Sequence, residues 1–157
     1  MPKLKASREA GFTLVELVVV IVILGILAAT ALPRFITVTK DARIAAVNGM
    51  AGGLRAAVAV SQARYFVTGT NTSPIVMADG TNITVGTTGA ASGVPVGTSV
   101  GIGASMSCES TVACRGFTLV LNTGATASTF QPSGGGANCQ ASYLDTTGAV
   151  SVVTSGC

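Results

Sequence analysis

Residues 11–33 read GFTLVELVVVIVILGILAATALP, a stretch in which Glu16 is the single charged residue. From Phe12 to Leu32 the run has 21 residues. As a helix rising about 1.5 Å per residue it would span roughly 32 Å, the thickness of one hydrocarbon core. A cleaved secretory signal has a shorter apolar segment, of about 7–15 residues, ending in small residues. This one is longer, rich in Val and Ile, and followed by Pro33, so it is expected to stay in the mature protein. Before it lies MPKLKASREAG, where Lys3, Lys5 and Arg8 outnumber Glu9. That bias favours a cytoplasmic N-terminus, and the rest of the chain is then expected to face outwards.

The formal net charge of +3 comes mostly from this leader, since the six Lys/Arg beyond Gly11 are nearly balanced by five Asp/Glu. No basic patch points to nucleic acid. The four cysteines, Cys108, Cys114, Cys139 and Cys157, all lie far beyond the apolar run, on the side expected to face outwards, where disulfides persist. Four cysteines allow three connectivities. Neighbours in sequence close the smallest loops, which favours Cys108–Cys114 and Cys139–Cys157. With no histidine and no CxxC pair, neither a zinc site nor any other cofactor is expected. Catalysis fails on inventory, because Lys40 is the only lysine beyond the leader and the carboxylates are scattered.

After Pro33 the periodicity stays helical through RFITVTKDARIAAVNGMAGGLRAAVAVSQARYF. At 100° per residue Val47, Met50, Leu54, Val58 and Tyr65 form one stripe, expected to face a core. The opposite side carries Ala45, Gly49, Gly52, Ala56 and Ala59 or Ala63, small residues that let another helix come close. Glycines in GMAGG each cost roughly 1 kcal/mol against alanine in a helix interior, so a role in close packing competes with local fraying.

From Thr68 the chain turns to Thr, Gly, Ser and Ala, with Asp79 the only charge up to Ser107. Asp79-Gly80 predicts a turn before the alternating NITV, and GFTLVLN (116–122) a strand. A last hairpin is expected to pair Ala141–Leu144 with Val150–Thr154 across DTTGA. QPSGGGAN (131–138) reads as a flexible loop. Asp79 with Asn82 has too few acidic partners for calcium, and such residues are routine in hairpin turns. NTS at Asn71 and NIT at Asn82 are glycosylation sequons.

Gly11-Phe12-Thr13-Leu14-Val15-Glu16-Leu17, behind a short basic leader and ahead of an uninterrupted apolar run, resembles the processing signature of type IV prepilins. The resemblance is dense over about the first 35 residues. It implies cleavage after Gly11 by a prepilin peptidase, methylation of the new amine of Phe12, and polymerisation through the apolar helix. Farther along, PRFITVTKDARIAAVNGMAGGL is similar to pilins of the mannose-sensitive haemagglutinin group. The expected fold is α+β, a long N-terminal helix packed on an antiparallel sheet. Its parts are a leader (1–11), a transmembrane and filament-core helix (12–33), an amphipathic helix (34–67) and a β-rich head (68–157).

Glu16 is notable without the resemblance. An ionisable group in a membrane helix costs about 2.5–3.5 kcal/mol at its centre and is functional by default. Cleavage after Gly11 leaves the Phe12 amine as the positive charge at that depth, since Arg34 lies at the far end of the run. Glu16 is expected to pair with the amine of its own chain or of a neighbour, a neighbour's amine fixing axial register. The competing reading is a glutamate snorkelling to headgroups.

The expected function is thus a structural subunit of a type IV pilus, first a single-pass inner-membrane precursor and then part of an extracellular filament. Partners implied are other pilin subunits, the prepilin peptidase and methyltransferase, and the pilus assembly machinery. A type II secretion pseudopilin is the alternative, sharing leader, glutamate and spine helix. The major pseudopilin generally lacks a disulfide-closed C-terminal loop, so the cysteines favour the pilin. A lone anchored binding domain would leave Glu16 and the small-residue face unexplained. Adhesion, motility, DNA uptake and electron transfer all use this scaffold, and seven aromatics give no ground for conduction.

Overall fold

A computed structural model describes residues 11–69 and 71–157, without the side chains of 32–36. The basic leader (Lys3, Lys5, Arg8, Glu9) and the Arg34 side chain therefore lie outside the described residues. The elements are helix α1 (Leu14–Thr68), strands β1 (Ile75–Val76) and β2 (Asn82–Ile83), a π-helical turn at Ser99–Gly103, and strands β3 (Ala113–Cys114), β4 (Phe117–Val120), β5 (Ser128–Pro132), β6 (Gln140–Leu144) and β7 (Ala149–Val153). The last five strands form one antiparallel sheet in sequence order, and β1 pairs with β2. The architecture is α+β, with a long N-terminal helix followed by an antiparallel sheet. The chain divides into two compact units, the first ending at Thr39 and the second running from Lys40 to Cys157.

In the first unit the apolar window Leu14–Ala31 has a mean hydropathy of 2.8 and none of it is buried. Thr30, its one hydroxyl beyond the first turns, turns inward on the helix and donates to Leu27 O at 3.0 Å, which hides a polar group along the apolar surface.

In the second unit the helical stripe is buried. Val47, Ala51 and Leu54 are fully enclosed, and Met50, Val58, Ser61 and Tyr65 continue the same face. Residues spaced by three, four and seven share one side of a helix. That side packs into a core with Ile102, Leu119, Phe130, Ala141 and Tyr143. Alternation explains the sheet's share, since Phe130 in β5 and Ala141 and Tyr143 in β6 point inward while their neighbours are only half-buried. Burying each such Val, Leu or Phe is worth about 1.5–3 kcal/mol.

The β6–β7 hairpin runs Gln140↔Val153 to Leu144↔Ala149, within a residue of the expected pairing, and NITV supplies β2. The GFTLVLN expectation narrows to Phe117–Val120. One expectation is corrected. Residues 131–138 are not a loose loop, because Gln131 and Pro132 end β5 and pair with Thr118 and Phe117. Gln131 Nε2 also donates to the carbonyls of Gly135 and Gly136, at 3.0 and 2.7 Å. Gly136 and Gly156 are hydrogen-bonded and the Cys139–Cys157 disulfide ties the segment to the chain end. Glycines here allow close approach rather than disorder. The second disulfide joins Cys108 and Cys114.

A buried polar clamp holds the loops over the sheet. Asp145, 8% exposed, accepts Gly97 N on Oδ2 and Gly124 N on Oδ1, each at 2.9 Å. A Cβ on Gly97 would stand 1.6 Å from Asn122 O, so only glycine brings its N–H this close. The neighbouring Tyr143 hydroxyl donates to Pro95 O. Burial, and then the charge of Asp145, push that phenol's pKa well above its ordinary value.

Candidate functional site

The N-terminal site is built from the first turn of α1. Gly11, Phe12 and Glu16 are all exposed, Phe12 at 88%. Thr13 stands at the N-cap. Its Oγ1 accepts the N–H of Glu16 at 3.2 Å, while Glu16 Oε2 accepts the N–H and hydroxyl of Thr13 at 2.9 and 2.8 Å. This is a reciprocal capping box, in which residues three apart satisfy two amides the helix end leaves unpaired. The T-x-x-E spacing that builds it is visible in the sequence, within an otherwise apolar run. Glu16 therefore has a task within its own chain, capping the helix and facing the positive end of its dipole. Its carboxylate is held on Thr13, the residue that follows Phe12.

The second group of expected site residues lies on the second unit's stretch of α1. Ala45, Gly49, Gly52, Ala56, Ala59 and Ala63 are all exposed. A Cβ added to Gly49 or Gly52 would meet nothing within 4 Å. The glycines are thus not required by packing inside the chain. Beside Gly49 and Gly52 there is open space, while the side opposite is the buried stripe.

The remaining candidates have structural roles. Asp79 Oδ1 accepts Thr81 N at 2.9 Å in the turn between β1 and β2, and that amide holds its carboxyl below the ordinary pKa. Asn71 and Asn82, the two sequon asparagines, are exposed.

A family model described as the prokaryotic N-terminal methylation motif matches residues 6–32. Over 54 residues the chain is 50% identical to the type IV narrow pilus major component PilA5 of Thermus thermophilus, covering 34% of this chain and 47% of that protein. It is also 37% identical over 87 residues to a fimbrial protein of Moraxella nonliquefaciens, 54% of either chain. The chain thus spans about half the length of the curated relatives it matches. No solved structure matches it. The chain carries a prepilin-type methylation segment, and the relatives it is similar to are named as pilus or fimbrial proteins.

Proposed function

We propose that this chain is a structural subunit of a type IV pilus. It is made as a single-pass inner-membrane precursor, cleaved after Gly11, methylated on Phe12 and polymerised into an extracellular filament. The observation that carries the reading is the coincidence of the methylation motif, residues 6–32, with a helix window, Leu14–Ala31, that is wholly unburied. An apolar helix with no cover in its own unit must lie in lipid or against other copies, and a pilus uses both in turn. Leaving the membrane exchanges lipid contacts for protein contacts, so the gain from apolar burial is small. Association then depends on close packing and on polar pairs.

Two residue groups supply these. The Phe12 amine, once freed, carries a positive charge into the apolar core of the filament, and Glu16 of the same or a neighbouring copy neutralises it. The small exposed residues Ala45, Gly49, Gly52 and Ala56 let the helices of two copies meet at short range. The Cys139–Cys157 closure of the head favours a pilus subunit over a type II secretion pseudopilin. No group here is assigned a catalytic role, and the partners are other subunits, the prepilin peptidase and methyltransferase, and the assembly machinery.

Mass spectrometry of sheared surface filaments tests the reading. An abundant chain beginning at methylated Phe12 supports it, and filaments that lack the chain overturn it. Gly11→Leu places a bulky side chain at the cut and is expected to leave the leader attached. A mature terminus at Phe12 in that variant would show that Gly11 does not mark the junction.

A further inference from the structure

A groove of about 480 Å³ runs along the second unit's stretch of α1, within the usual size range of binding clefts. Gly49, Gly53, Ala56 and Ala57 line it on the helix side, and Met106 and Phe117 line it opposite. Three observations point to an occupant. The first is Ser61, which lines the groove and is 1% exposed, yet its Oγ has no hydrogen-bond partner. Buried hydroxyls are nearly always paired, so an occupant that brings a hydrogen-bonding group would complete it.

The second is Arg115, the one charged residue of the lining. It sits at φ 50 and is followed by Gly116 at φ 83 in the turn between β3 and β4. Turns of this kind favour Asn, Asp or Gly, and a non-glycine residue held there is strained. Its Nε donates to Met106 O and its backbone N to Glu109 Oε2, both at 2.8 Å. Glu109 is held below the ordinary carboxylate pKa by its own amide, then by that of Arg115 and by the Arg115 charge. The Nη atoms of Arg115 make no hydrogen bond among the described residues. A strained residue braced so that its guanidinium stays available is placed for a carboxylate.

The third is the chain's own supply of carboxylates. Glu16 accepts from Thr13, Asp79 from Thr81, Glu109 from Arg115, and Asp145 from Gly97 and Gly124. Among the described residues, Asp41 is the carboxylate left without a hydrogen bond. It is exposed, as are Ala45, Asn48 and Gly52, which fall on one stripe with it at 100° per residue. That stripe lies about a quarter-turn around the helix from the groove lining.

We infer that, in the polymer, the Asp41–Ala45–Asn48–Gly52 stripe of one copy seats in the groove of the next, with Asp41 paired to Arg115. The inference rests on the pilus-subunit reading and names the contact between heads. Ala45 and Gly52 have the small side chains that a lining of glycine and alanine admits at close range. Asn48, about two turns from Asp41, brings the amide that Ser61 lacks. Charge complementarity fixes which copy's surface enters which groove. Because stripe and groove are different surfaces, each added copy leaves one of each unfilled, as an open helical polymer requires.

The test uses the full chain in filament-forming cells. Asp41→Arg is expected to leave processed subunit in the membrane at the wild-type level and to lower sheared filament yield about tenfold, the effect of ~1.4 kcal/mol. Arg115→Glu should do the same, and the two together should restore most of the yield. Because Arg115 also braces Met106, a second measurement stands apart from rescue. Filaments of the Arg115→Lys variant are treated with a carbodiimide, which joins carboxylate to amine at zero length. A peptide linking position 41 of one copy to position 115 of another supports the contact. Wild-type filament yield from Asp41→Arg, or carbodiimide links from position 115 only to other carboxylates, overturns it. A wild-type chain found in no filament overturns the pilus reading and this contact with it, which is distinct from filaments that form without the contact.

Discussion

Two stretches of the same helix meet opposite fates. In the window Leu14–Ala31 nothing is buried, with Leu24 at 57% and Ile26 at 63% exposure, whereas from Lys40 onward one stripe is sealed, with Val47 and Leu54 at 0%. Helical propensity does not separate them, and the first is the more apolar of the two. What separates them is patterning. A stripe with polar and small residues around it asks for one partner surface, which the chain supplies as its own sheet. A helix apolar all round asks for an apolar environment on every side, and no single sheet provides that. The first stretch is built for surroundings outside the chain, and the second for the chain itself.

Paired leucine truncations break this contrast most directly. Leu54→Ala empties a fully buried site and is expected to destabilise the head by about 2–5 kcal/mol. Leu24→Ala should leave head unfolding unchanged and weaken the filament instead. Near-ultraviolet dichroism of the buried Tyr65 and Tyr143, followed on heating in detergent, reads the first effect. Equal shifts from both variants would show that the first stretch also supports the head.

The disulfide at the chain end gives the next largest effect. Cys139 and Cys157 are 18 residues apart, and closing such a loop is worth roughly 3 kcal/mol in the loop-entropy treatment. Cys157→Ser should therefore lower the midpoint of head unfolding while membrane insertion is untouched. Peptide mapping that joins Cys157 to Cys108 or Cys114 would contradict the connectivity. The smallest effect on folding belongs to Ala56→Leu. Its site is exposed, so head stability should change by no more than about 0.5 kcal/mol, while filament yield falls because helices are held apart. An unfolded head in that variant would mean that position 56 faces the core.

What the sequence disclosed follows from the range of the signals. The stripe from Val47 to Tyr65 and the hairpin around DTTGA were legible because each is a local period, 3.6 in one and 2 in the other. The Asp145 clamp was not, since its partners lie 48 and 21 residues away and nothing near Asp145 announces them. Strand β5 was missed because Ser128, Phe130 and Pro132 form its buried face, and only one of those is an ordinary strand former. The run of glycines after it suggested mobility, whereas Gly135 and Gly136 serve close packing against Cys139 and Gly156. At the candidate site the sequence singles out Gly11, Phe12 and Glu16 by their chemistry, and their roles there are part of the proposal. The capping box was equally legible as spacing, and it adds to Glu16 a role that a charge argument alone does not contain.

Cap and proposed charge partner are separated by the decisive comparison, between Glu16→Gln and Glu16→Val. Glutamine keeps the capping geometry and removes the charge, while valine removes both, the cap being worth about 1 kcal/mol. Processed subunit in membranes and subunit in sheared filaments are quantified for wild type and both variants. If Glu16 neutralises the Phe12 amine in the filament, each variant leaves a buried charge unpaired, at a cost on the order of 3–5 kcal/mol. Filament yield should then fall by about two orders of magnitude or more in both, with membrane subunit undiminished. Wild-type filaments from Glu16→Gln, with loss only in Glu16→Val, would contradict this and leave Glu16 as a helix cap.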